Sequence, residues 1–170
     1  MIKEIYLAGG CFWGCQKYFN NVEGVIYTEV GYCNGNRTIT SYQEVCDSIT
    51  GHAECVKIKY DNEIISINFL LGLYFNIIDP TSLNKQGEDS GIQYRTGIYY
   101  VDGSDLEIIN SELSLLATQY DQDILVEVDR VDNYCKAEEY HQDYLDKNPQ
   151  GYCHLGANKF EEARLAKEIN

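Results

Sequence analysis

The stretch KEIYLAGGCFWGCQKYFN, Lys3 to Asn20, decides the fold. Its first six residues are mostly apolar and read as a buried strand. Gly9 and Gly10 then turn the chain, and the spacing from Phe12 to Asn20 predicts a helix. Cys11 falls at the mouth of that helix, beside the chain's only tryptophan, Trp13. A thiol there sits near unpaired backbone N–H groups and the positive end of the helix dipole, and both favour thiolate. The two glycines leave room for a ligand to approach the backbone. The bland alternative is a buried small hydrophobe, the usual fate of a free cysteine. The strand-to-helix position and the flanking GG and FWG shift the balance towards a reactive thiol.

Working outward, VIYTEVGYC (25–33) reads as a second strand ended by the turn signal NGN. AECVKIKYD (53–61) alternates apolar and polar residues and reads as a third strand. INFLLGLYFNII (67–78) is apolar nearly all round and predicts a core helix stopped by Asp79-Pro80. Thr81 to Thr96 is polar and aperiodic, and a loop of that length in a compact domain is usually functional. GIYYVD is a further strand. The next segment places Leu106, Ile109, Leu113, Leu116 and Tyr120 on one helical face, with Ser104 or Asp105 as N-cap. ILVEVDRV (124–131) is a last strand, and KAEEYHQDYLDK (136–147) a polar helix ending before Pro149. The order resembles a split strand–helix–strand sandwich, with helices on a mixed sheet.

With 170 residues the chain fits one domain, and its formal charge of -14 argues against nucleic acid and anionic membrane surfaces. The longest uncharged apolar run, Ile64 to Ile78, is short for a membrane span, and no secretory leader is expected from MIKEIYLAGG. The expected compartment is the cytoplasm. Seven cysteines there (11, 15, 33, 46, 55, 135, 153) are not expected to form a static disulfide framework.

Several side chains could carry chemistry. Phe12 and Trp13 beside Cys11 would make a wall suited to a methyl or thioether group, although either could be plain core. Cys15, one turn on, reads as packing. Glu54, at the start of a strand, could donate a proton near neutral pH if partly desolvated, against the alternative of a solvated strand end. Tyr42 and Tyr94 are loop phenols, weak signals among 15 tyrosines. Cys153, in NPQGYCHL, reads as a thiol on a mobile C-terminal segment, a poor core residue and a good resolving thiol. Two rivals remain: a metal module built on Cys33, Cys46, Cys55 and His52, which fits no zinc spacing, and a hydrolase pairing Cys11 with His141.

GGCFWGC, GHAECVKIKYD, IIDPTSLNKQGEDSGIQYRTGIYY, AEEYHQDYL and NPQGYC, in that order, resemble the peptide methionine sulfoxide reductase A family from Ile5 to about Cys153. The resemblance implies an α+β, two-layer α/β sandwich with a ferredoxin-like core, long active-site loops and a C-terminal extension. It implies one catalytic domain over 1–170, with 146–170 carrying the resolving cysteine. By the same resemblance, Cys11 is the nucleophile and Phe12 and Trp13 hold the substrate methyl. Glu54 protonates the sulfoxide oxygen, Tyr42 and Tyr94 hydrogen-bond it, Asp89 is a polar pocket residue and Cys153 is the recycling thiol. Cys15, Cys33, Cys46, Cys55 and Cys135 are competitors for that last role, and Gln16 stands where the family more often has glutamate. The implied substrate is methionine S-sulfoxide, free or in proteins. The implied reductant is an external dithiol, thioredoxin or dithiothreitol, with no bound cofactor or metal and a monomeric chain.

Overall fold

A computed structural model describes residues 1–169. The strand–turn–helix start is β1 (Ile2–Gly9) followed by α1 (Phe12–Asn20). Next come β2 (Val25–Cys33), a short α2 (Tyr42–Cys46), β3 (Ala53–Asp61) and α3 (Ile67–Phe75). The polar stretch after Pro80 is not featureless. It carries a two-stranded hairpin, β4 (Lys85–Gln86) with β5 (Asp89–Ser90), and a 3-10 turn at Ile92–Tyr94. Then follow β6 (Thr96–Tyr100), α4 (Leu106–Ala117), β7 (Glu127–Arg130), β8 (Cys135–Lys136), α5 (Tyr144–Lys147) and α6 (Ala157–Leu165).

The main sheet has six strands in the order β7-β6-β1-β3-β2-β8. β6, β1, β3 and β2 pair antiparallel, which is the split strand–helix–strand core, and β7 adds parallel to β6 to make the sheet mixed. Side chains alternate across the sheet. Ile5 and Leu7 of β1, Val56 and Ile58 of β3, and Val30 and Tyr32 of β2 face one layer. They are buried there with Phe12 and Phe19 of α1, Leu70 and Leu71 of α3, Ile109 of α4 and Ala163 of α6. The other face holds a smaller cluster of Tyr6, Ala8, Cys33, Cys55 and Tyr99. This parity turns Glu54 towards the helices and Cys55 away from them.

Local departures from the sequence expectations have identifiable causes. α3 ends at Phe75, before Ile77 and Ile78, with Asn76 as C-cap. Asp105 occupies the N-cap position of α4 but caps nothing, because its buried carboxylate pairs with Lys3. Tyr120 lies beyond the helix end and is exposed. β7 is shorter than 124–131 because Leu125 N–H donates instead to the Pro80 carbonyl (2.7 Å). Residues 136–147 are not one helix. A 3-10 turn at Glu139–His141 is followed by extended Gln142 and left-handed Asp143 (φ 51°), and only then by α5.

Long-range hydrogen bonds cause that break. The Gln142 amide donates to the carbonyls of Val30 (2.9 Å) and Ala137 (3.1 Å), and its oxygen accepts from Val30 N–H (2.9 Å). Next to it, Asp143 N–H donates to Gln16 Oε1 (2.9 Å), while the other end of Gln16 donates to Thr28 (3.2 Å). An amide at 16 can serve both a donor and an acceptor; a carboxylate there could only accept.

Cys33 and Cys55, diagonal neighbours on β2 and β3, are joined by a disulfide. The expectation that the cysteines stay unpaired is corrected for these two, and they leave the pool of competing thiols. The C-terminal segment is packed and does not hang free. Ala163 is fully buried, Lys17 of α1 lies over the Phe160 ring, and Glu168 accepts from Ser66 N–H (2.6 Å).

Gln142→Ala leaves the buried Val30 N–H without a partner, and should lower unfolding free energy by about 1–3 kcal/mol in denaturant melts.

Candidate functional site

Seven residues singled out in the sequence, Cys11, Phe12, Trp13, Tyr42, Glu54, Asp89 and Tyr94, line one cavity of about 90 Å³ together with Tyr152. A water molecule takes about 30 Å³ in the liquid, so the space suits a few heavy atoms, the head of one side chain. Larger hollows beside α4 and between α3 and α4 contain no cysteine.

The floor is the joint between β1 and α1. Tyr74 of α3 donates to the Ala8 carbonyl (2.6 Å) and accepts from Gly97 N–H (3.2 Å), fixing the end of β1. Gly10 turns the chain at φ +84°. The glycines do not open the backbone to a ligand as expected. A methyl on Gly9 would stand 2.8 Å from Ile78, and one on Gly10 2.8 Å from Gln86, so the space they leave is filled by the protein itself. Cys11 is the N-cap residue of α1, in extended conformation, and its sulfur caps nothing.

The first free N–H of α1 is taken by a distant carboxyl: Phe12 N–H donates to Glu54 Oε1 (3.1 Å). Glu54 is 2% exposed. Burial pushes its pKa up to about 8, with the Phe12 N–H opposing and Asp89 adding to the rise. The carboxyl is therefore a neutral acid at pH 7.

Cys11 is 8% exposed, and its thiol is pushed far up by burial and then by Glu54, with the Trp13 backbone N–H pulling the other way and Asp89 adding a smaller rise. The resting thiolate expected from the helix terminus is thus corrected. Desolvation of a sulfur in a closed pocket outweighs the dipole of a nine-residue helix.

The indole of Trp13 is held at its N–H and on its face. Its Nε1–H donates to His141 Nδ1 (3.0 Å), and its ring stacks on Tyr144 at 3.7 Å between centroids. His141 packs in turn against Phe12 and Tyr42. With Nδ1 accepting from the indole, His141 braces the aromatic wall and makes no hydrogen bond to Cys11, which removes the geometry a Cys11–His141 hydrolase needs. Glu138 ties the neighbouring elements: it accepts from the Tyr32 hydroxyl (2.8 Å) and from Tyr42 N–H (3.0 Å).

Tyr42 opens α2, a helix and not a loop, capped by Ser41, whose hydroxyl accepts from Glu44 N–H (3.3 Å). The pattern Ser41-x-x-Glu44 is a capping-box signature that could have revealed it. Tyr94 ends the 3-10 turn. Burial raises both phenols, Tyr42 and Tyr94, so each keeps its proton to donate. Tyr152, which the sequence reading missed, donates to Asp89 Oδ2 (3.0 Å) and closes the rim. Its adjacency to Cys153 in the GYC stretch was the available signal.

Cys153 lies outside the cavity, half-buried against α1: a methyl on Gly14 would stand 3.0 Å from its sulfur. Cys15 is buried and donates to the Gly9 carbonyl (3.2 Å), in keeping with packing. Cys46 and Cys135 are free and half-buried elsewhere, on α2 and β8. His52 is engaged with the Asn133 carbonyl (3.0 Å). With Cys33 and Cys55 bonded to each other, the rival ligand set is not assembled, and among the described residues no group of three His, Cys, Asp or Glu is placed to hold a metal.

The family profile described as "Peptide methionine sulfoxide reductase" matches residues 3–170. A relative from Lachnoclostridium phytofermentans, "Peptide methionine sulfoxide reductase MsrA", is 56% identical over 166 residues, covering 98% of this chain and all of that protein. The chain also superposes on reduced Mxr1 from Saccharomyces cerevisiae with a TM-score of 0.85 at 36% identity, covering 89% of this chain and 88% of that one. Mxr1 in complex with Trx2 shares the fold at a TM-score of 0.61 and 24% identity, over 84% of each chain.

Because the folded state holds Glu54 protonated, its ionisation should cost stability progressively as pH rises from 4.5 to about 8. Glu54→Gln should flatten that part of the stability–pH curve. Infrared spectra should show a protonated carboxyl band at pH 7 that the variant lacks.

Proposed function

The chain belongs to the peptide methionine sulfoxide reductase family, and from that premise we propose that it reduces methionine S-sulfoxide by nucleophilic attack of Cys11 with Glu54 as proton donor. The observation that carries this reading is the pairing, in one cavity sized for a side-chain head, of a buried thiol with a carboxylic acid still protonated at neutral pH.

A sulfoxide oxygen leaves poorly until it is protonated, so attack at sulfur needs an acid beside the oxygen. Glu54 fills that role, and the Tyr42 and Tyr94 hydroxyls donate to the same oxygen. As the Glu54 proton goes to oxygen, the carboxylate can take the Cys11 thiol proton, so a high resting thiol pKa does not block the reaction. Methionine leaves reduced, and Cys11 keeps the oxygen as a sulfenic acid. Phe12 and Trp13 hold the methyl group, the acid and phenols hold the oxygen, and Cys11 holds the third direction. Three fixed directions around a pyramidal sulfur select one hand, taken here as S.

The small cavity recognises the sulfoxide head and leaves the rest of the substrate outside, which suits both free and protein-bound methionine sulfoxide. Asp89, oriented by Tyr152 at the rim, is placed for the polar part of the substrate next to the side chain. Cys153 condenses with the sulfenic acid, and an external dithiol reduces the disulfide by exchange. Thioredoxin is the proposed physiological donor, supported by the Trx2 complex of the yeast neighbour. Among the described residues no helix is long and apolar enough to cross a membrane. A cytoplasmic monomer is the proposed setting. Cys33 and Cys55, 0% and 1% exposed, are shielded there from attacking thiols.

With dithiothreitol the protein should convert the S epimer of methionine sulfoxide and leave the R epimer, as read by chiral chromatography. Cys11→Ser should abolish methionine formation, and Glu54→Gln should slow it about 10²- to 10⁴-fold. Cys153→Ser should release methionine once per chain and then stop with thioredoxin as reductant. Failure of the wild-type protein to reduce either epimer overturns the proposal, and undiminished thioredoxin turnover in Cys153→Ser assigns the resolving role to another cysteine.

A further inference from the structure

The residue after Cys153 is His154, a side chain to which the catalytic reading gives no task. Both of its ring nitrogens are buried and neither completes a hydrogen bond, although the Gly9 backbone lies close enough to the ring to favour its protonated form. An imidazole left unsatisfied on both sides costs free energy, and such a group calls for an explanation.

Its position supplies one. The ring lies along the first turn of α1. A methyl placed on Gly14 would stand 3.5 Å from Nδ1 and Cε1 of His154 and 3.0 Å from the Cys153 sulfur. A methyl on Gly10, the residue before Cys11, would stand 3.3 Å from Nε2. Nδ1 thus lies at the Cys153 end of the turn and Nε2 at the Cys11 end. Gly14 is three residues after Cys11, one helical turn, so the Cys153 sulfur and the imidazole lie against the same turn of α1 that Cys11 opens.

We propose that His154 is the proton relay for disulfide formation between Cys153 and the Cys11 sulfenic acid. This rests on the reading of Cys11 as nucleophile and Cys153 as its partner. Nδ1 accepts the Cys153 thiol proton as that sulfur attacks Cys11 Sγ. The new bond is Cys153 Sγ–Cys11 Sγ, and the bond that breaks is Cys11 Sγ–O. Nε2–H gives its proton to the departing hydroxyl, which leaves as water. One sulfur is oxidised and the other reduced, and no further reagent enters.

The surroundings suit the task. Burial raises the Cys153 thiol, so it needs a base to become an attacking thiolate. Burial holds His154 below the ordinary histidine value against the opposing pull of Asp89 and the Gly9 backbone, leaving it neutral with one nitrogen to accept and one to donate, while both opposing groups steady a transient imidazolium. The other charged and titratable groups around the pair are Lys17 and Cys15 of α1.

The test separates the two steps. Wild-type protein and the His154→Gln and His154→Gly variants are mixed with methionine S-sulfoxide without reductant between pH 6 and 9. Methionine release, sulfenic acid trapped by dimedone, and the Cys11–Cys153 disulfide are followed by quenched mass spectrometry. The variants should release one methionine per chain, which also reports that they fold. Their disulfide should form tenfold or more slowly at pH 7, with trapped sulfenic acid rising to match. Their rate should climb about tenfold per pH unit, because only hydroxide then makes the thiolate, whereas the wild-type rate should level off. Added imidazole should restore the His154→Gly rate. Disulfide formation at the wild-type rate overturns the relay, and so does a slowing equal at every pH and not restored by imidazole. Absence of methionine from the wild-type protein defeats the reductase reading itself, a different result.

Discussion

The hydrogen bond from Phe12 N–H to Glu54 joins the two halves of the site and sets its chemistry. An α-helix leaves its first N–H groups without partners, and a buried carboxyl needs a donor. Here each satisfies the other across 42 residues of sequence. The bond fixes the first turn of α1 above β3, so Cys11 and Glu54 must share a cavity. It also leaves the acid in a place where desolvation wins over that single donor, and the carboxyl stays protonated near neutrality.

Around that tie, the walls are braced by polar contacts that reach far along the chain. Gln142 completes the edge of β2 and Gln16 holds the neighbouring backbone, so the chain leaves helical geometry at Asp143 and presents His141 to Trp13. Glu138 links Tyr32 and Tyr42 in the same way. A cavity lined by side chains that are themselves held by second partners keeps its shape when empty. That rigidity suits the proposed selection by three directions around one sulfur.

The thiol side follows a different logic from the one a helix terminus suggests. Cys11 and Cys153 are both raised by burial, so neither is a standing thiolate. In the proposed reaction each needs a neighbour to take its proton. Glu54 shares a cavity with the first, and the His154 ring lies beside the second. Keeping both sulfurs protonated at rest also limits stray oxidation, since the thiolate is the form that oxidants attack.

The sequence by itself determined the strand–helix–strand frame. Periodicity and turn residues placed α1, β2 and β3 at their observed limits, and the motifs around Cys11, Glu54, Asp89 and Tyr94 identified the cavity residues through their resemblance. Local patterns suffice there because strand and helix periods are properties of neighbouring residues. The break at Gln142–Asp143, the pairing of Cys33 with Cys55 and the packing of Cys153 and His154 on α1 were hidden, since each depends on partners distant in sequence. The charge state of Cys11 makes the point most sharply. Its neighbours in sequence, a helix start and its N–H groups, favour thiolate. Glu54, Asp89 and the closed pocket arrive only through tertiary folding, and the loss of solvent they bring reverses the sign.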